Sequence, residues 1–80
     1  MTDTQKELMR ALSHSLNAPS TESDIVRELK TPSHGRFWWW TYCPETIKQR
    51  WQDLSLDAQL VAMVMGARQA EMHLEYLDDE

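Results

Sequence analysis

The chain has a single cysteine, two glycines and three prolines in 80 residues. One thiol, Cys43, rules out a disulfide within the chain. Together with five methionines it fits a reducing compartment better than a secreted, disulfide-framed one. Long apolar runs are also missing. The longest is Leu60 to Met65, far short of the ~20 residues that span a bilayer. Met1 to Asn17 is polar and amphipathic, without the apolar segment of a secretory signal. The expectation is a soluble, cytoplasmic chain that does not engage membranes.

Catalytic and cofactor signatures are absent as well. No C-x-x-C, H-E-x-x-H, Walker or dinucleotide-binding glycine pattern occurs, and His14, His34 and His73 are scattered without two-ligand spacing. The expectation is therefore no cofactor, no metal and no enzymatic activity. Cys43 is the best reactive candidate, because a helix N-terminus favours a thiolate. The blander reading is a cysteine filling a half-buried cap position. No base or oxyanion site accompanies it.

The net charge of −5 is unevenly spread. Residues 1–20 balance, and so do residues 21–54. The whole excess falls in residues 55–80, where Asp57, Glu71, Glu75, Asp78, Asp79 and Glu80 face Arg68 alone. Such an end repels nucleic acid and can attract a basic surface. It can also be no more than a solvated helix end.

With so little glycine and proline, breaks are few and easy to place. Thr2, Asp3 or Thr4 can cap a first helix from about Thr4 to Leu16, whose stripe is Leu8, Leu12 and Leu16. Asn17 to Ser20 ends it. Thr21 to Asp24 resembles a capping box and opens a short second helix to Lys30 that buries Ile25, Val26 and Leu29. Thr31-Pro32-Ser33-His34-Gly35 breaks the chain, with Gly35 freeing the turn. Cys43-Pro44-Glu45 starts a third helix, in which Ile47, Trp51 and Leu54 share a face. Ser55 caps the last, from about Leu56 to Leu77. The fold class predicted is all-α, one domain over residues 1–80. It is a small bundle of about four helices: two short N-terminal ones, an aromatic loop, a third helix and a long C-terminal helix.

Two features exceed what so short a chain can bury. Eighty residues cover only about 60% of their unfolded surface, and scaffolds of this size often need a partner chain. In the last helix, Leu56, Leu60, Met63, Ala67, Ala70, Leu74 and Leu77 are spaced alternately four and three residues apart, the repeat that keeps one seam against a neighbouring helix. Val61, Val64, Met65 and Met72 form a second apolar face. Homodimerisation is expected through Leu56, Leu60, Met63, Val64, Ala67, Ala70, Leu74 and Leu77; the alternative is that both faces pack within the chain.

The second feature is Phe37-Trp38-Trp39-Trp40, with Tyr42 behind it. A strand would send alternate rings to opposite faces, and a helix would fan four residues over about 300°. Either way, not all of them enter one small core. Exposed aromatic residues beside arginine favour protein contacts. The leading expectation is a non-catalytic protein-interaction module, an adaptor or inhibitor. Arg36, Phe37, Trp38, Trp39, Trp40 and Tyr42 would anchor a protein partner, and Glu71, Glu75, Asp78, Asp79 and Glu80 would form an acidic rim. In kind, such a chain resembles the accessory proteins with which phages and mobile elements block a host enzyme or defence complex. One alternative is a small helical DNA- or RNA-associated regulator, with Lys30, His34, Arg36, Lys48 and Arg50 interleaving the rings. The basic footprint expected of one is missing, so nucleic acid is not the favoured partner. Another is an acidic nucleic-acid mimic that occupies a basic groove.

Overall fold

The computed structural model describes the backbone of residues 2–78 and the side chains of residues 2–75. Four α-helices and two 3₁₀ turns follow one another: α1 (Asp3–Ser13), α2 (Glu22–Lys30), a 3₁₀ turn at Trp39–Tyr42, α3 (Glu45–Gln49), a 3₁₀ turn at Trp51–Asp53, and α4 (Leu56–Asp78). Among the described residues there is no strand. The all-α class and the long last helix are as the spacing of apolar residues predicts.

Local chemistry sets the helix starts. Thr2 closes a capping box on Gln5, each donating a backbone N–H to the other's side chain and satisfying two of the free donors of the first turn. Thr21 Oγ1 accepts from the Asp24 amide at 3.2 Å, and Ser55 Oγ accepts from the Ala58 amide at 3.2 Å. Pro44 stands just before α3, which is extended by only five residues.

Two helices end earlier than periodicity predicts. The first stops at Ser13, whose hydroxyl donates to the Arg10 carbonyl. Ser15 then accepts from the Asn17 amide. Such local side-chain bonds compete with the helical ladder, and the turn they make carries Asn17 and Ala18 into the interior. Leu16, expected on the buried stripe, is consequently 95% exposed. The third helix breaks at Arg50 and resumes as a 3₁₀ turn. That reset lets the Trp51 indole N–H reach the Leu29 carbonyl at 2.7 Å, one of the acceptors that α2 leaves unpaired at its C-terminus.

α4 lies across α1 and the Trp39–Tyr42 turn. Its seam supplies the core. Leu60, Met63, Ala67 and Ala70 are fully buried against the rest of the chain, joined by Met9, Leu12, Ile25 and Leu29. This corrects the expected dimer seam: those four residues are consumed within one chain and offer nothing to a second copy. The small side chains of Ala67 and Ala70 bring the chain's own segments close, not a second α4. Val64 and Leu74 are half-buried, Leu56 lies at the exposed edge, and the side chain of Leu77 falls outside the described residues.

Gly66 makes the closest approach. A Cβ at this position would lie 2.4 Å from the Trp39 carbonyl oxygen and 3.4 Å from Cys43 Sγ. Only the residue without a Cβ lets helix and aromatic segment touch through their backbones.

Candidate functional site

The segment from Thr31 to Cys43 is a strap pinned at both ends. At its start, one oxygen of Glu28 accepts from the Ser33 amide at 3.1 Å, the Ser33 hydroxyl at 2.7 Å and the Trp38 indole at 2.7 Å. Burial alone would raise the Glu28 pKa. The bonds from Trp38 and Ser33 outweigh it and hold the carboxyl below its ordinary value of 4.5. A carboxylate stabilised in the folded state contributes stability above the unfolded pKa and loses it as pH falls through the folded value. The urea midpoint of the chain is thus expected to fall on acidification below about pH 4.5. The gap between wild type and Glu28→Gln should narrow over the same range. A constant gap would mean that the charge on Glu28 does not matter.

Farther along, Asn17 clamps the strap from α1's side. Its side-chain amide donates to the Phe37 carbonyl at 2.5 Å, and its own carbonyl accepts from the Trp39 amide at 3.0 Å. Between these bonds the Trp38 amide closes a turn on the Gly35 carbonyl, with Phe37 at φ 63°. A positive φ at the third position of such a turn is ordinarily glycine's or asparagine's. Gly35, which the sequence suggests as the flexible point, has no positive φ; the left-handed residue is Phe37.

The rings then divide. Trp39 is completely enclosed and Trp40 nearly so. Together with Trp51 they form a three-indole cluster with centroids 5.0–5.5 Å apart. The Trp40 indole donates to His34 at 3.3 Å and has Lys48 over its face. The expectation that Trp39 and Trp40 anchor a partner is therefore corrected: both are core, and neither presents a face on which a base could stack. Trp38 is half-buried, with its N–H spent on Glu28.

What remains outside is an edge built from Phe37, Tyr42, Arg36 and His73. The Arg36 guanidinium lies 5.0 Å from the Phe37 ring centre. His73 on α4 stands between Phe37 and Tyr42, at 5.6 and 5.9 Å from their centroids. Glu71 and Glu75, expected as its acidic rim, are exposed on the same stretch of α4 but about 160° around the helix from His73, on the side of His14 and the exposed Leu16, where Leu74 is half-buried. The side chains of Asp78, Asp79 and Glu80 fall outside the described residues. Sequence reasoning missed His73 and Leu16. The first looked like a stray histidine, and the second belonged to the helix stripe by spacing.

A second concavity of about 560 Å³ runs between α3 and α4. Cys43, Ala62 and Gly66 form its floor, and Ile47, Val61 and Met65 line its sides. Cys43, the reactive candidate by sequence, is buried. Burial pushes its thiol up to about 11 despite nearby Lys48, and Sγ sits 3.7 Å from the Ala62 carbonyl. It is also not at a helix N-terminus, since Pro44 intervenes before α3. Among the described residues no three histidine, cysteine or acidic side chains gather as a metal site would require, and no helix is long and apolar enough to cross a membrane. The chain matches no family model, no curated protein and no solved structure.

Proposed function

We propose that the chain is a non-catalytic protein-interaction module, an adaptor or inhibitor. It docks on a protein partner through Arg36, Phe37, Tyr42 and His73. The observation that carries this reading is the left-handed backbone of Phe37. A bulky side chain at positive φ costs on the order of 1–3 kcal/mol and persists only where its surroundings impose it. Here two Asn17 bonds and the Gly35–Trp38 turn impose it. The result holds a large ring half in solvent, away from the core that took Trp39 and Trp40. Backbone strain of this kind clusters at binding sites. An aromatic ring, a guanidinium and a phenol side by side are the residue types that carry most interface energy.

Phe37→Gly and Phe37→Asn test this directly, because both residues accept the backbone that Phe37 is forced into. Thermal stability should stay within about 1 kcal/mol of wild type or rise. A protein captured from source-cell extract by the tagged wild-type chain should be lost with both variants. Undiminished capture by two stable variants would remove the Phe37 edge from the binding surface.

A further inference from the structure

The outer face of α4 remains open after the seam has been used. Val61, Met65 and Met72 are 43%, 61% and 52% exposed. At 100° per residue they lie within about 40° of one another on the helix, on the side away from the buried Met63 and Ala70. The groove over Gly66 and Cys43 runs alongside them.

We propose that this face seats a second copy of the chain, with the two α4 helices antiparallel about a two-fold axis near Ala62 and Met63. The charges select both the occupant and the register. Asp57 and Arg68 flank the apolar stripe and both are exposed. They are eleven residues apart, which is three helical turns and hence one face. Arg68 makes no ion pair among the described residues. A two-fold axis midway between them sets each Arg68 against the Asp57 of the second copy, forming two equivalent pairs at the ends of the contact.

The same axis brings Val61 of one copy beside Met65 of the other. The long, flexible methionine can then enter the groove floored by Gly66 and Cys43. A parallel pairing would instead oppose Asp57 to Asp57 and Glu75 to Glu75. An antiparallel axis nearer the C-terminus would oppose Arg68 to itself. Both arrangements place like charges together, which disfavours association. In the proposed register Glu71 and Glu75 pass beyond the crossing and do not face each other. The surface is separate from the Phe37 edge, so this proposal does not rest on that one.

Sedimentation equilibrium over a concentration series tests the idea, with circular dichroism as the check on folding. The wild-type chain should sediment as a monomer–dimer equilibrium. Met65→Glu should raise the dimer Kd by about thirtyfold while leaving helicity unchanged. Arg68→Asp should raise it roughly tenfold, as should Asp57→Arg, and the double exchange D57R/R68D should restore dimerisation. Asp57 also accepts from Gln5 at 2.6 Å, so a loss of helicity in D57R is met by using Asp57→Asn instead, whose amide oxygen can still accept that bond. That variant removes the attraction without adding a charge, and it should weaken dimerisation less than reversal does. A wild-type chain that stays monomeric throughout the series overturns the proposal. So does a dimer indifferent to Met65→Glu, or folded charge variants whose double exchange restores nothing, since each places the contact elsewhere.

Discussion

Gly66→Ala is expected to be the most disruptive single-methyl change in the chain. In an exposed helix the exchange would stabilise by about 1 kcal/mol through helix propensity. Here the new Cβ would lie 2.4 Å from the Trp39 carbonyl oxygen and 3.1 Å from its carbonyl carbon. The obstacle is backbone, not a side chain that can swing away. Trp39 is itself held by its amide bond to Asn17 and by the indoles of Trp40 and Trp51. α4 must therefore lift off the strap or the strap must leave the core. Overpacking costs about 1–3 kcal/mol and sometimes more, and rigid neighbours put this case at the upper end or beyond it. A urea or thermal melt with a lower midpoint than wild type is the expected reading. Equal or higher stability would mean that α4 and the strap do not meet through Gly66.

Trp39→Ala should have a comparable or larger effect. Removing a buried tryptophan costs about 3–5 kcal/mol. A chain of this length has on the order of 4–12 kcal/mol in total. At ~4–8 °C per kcal/mol for small domains, the melting temperature should fall by roughly 15 °C or more. An alanine that left stability intact and weakened only partner capture, as an exposed anchor would, contradicts the burial of this ring. Phenylalanine at the two central tryptophans refines the test. Trp39 Nε1 is buried without a hydrogen-bond partner among the described residues, so Trp39→Phe loses area but also relieves an unmet donor. Trp51→Phe strips the Leu29 carbonyl of its bond and leaves a buried acceptor unsatisfied, at a cost of about 1–3 kcal/mol. Trp51→Phe should be the more destabilising of the two, as measured by chemical denaturation followed by circular dichroism.

These predictions use contacts between segments far apart in the chain, and such contacts divide what was legible from what was not. The helix class, the caps at Thr2, Thr21 and Ser55, the apolar seam of α4 and the acidic end all follow from residues a few positions apart. Propensity, capping and 3.6-residue periodicity act at that range. The same periodicity runs Leu16 onto a helix that ends at Ser13, because it cannot see the turn that buries Asn17.

For the aromatic run, counting rings against the size of the core leads to the conclusion that some stay outside, but not to which ones. Trp39 and Trp40 went in because Asn17 and Gly66, distant in sequence, hold the strap against α4. Phe37 stayed out because the same clamp forces its backbone to positive φ. In α4 both apolar faces are visible in the spacing, yet spacing is symmetric between them. What assigned one to the core was the packing of α1 and the strap, which consumed Leu60, Met63, Ala67 and Ala70. Sequence by itself therefore determined the helical class and how much apolar surface this chain carries. Tertiary structure decided where that surface lies, because only the folded chain determines which face finds a neighbour within it.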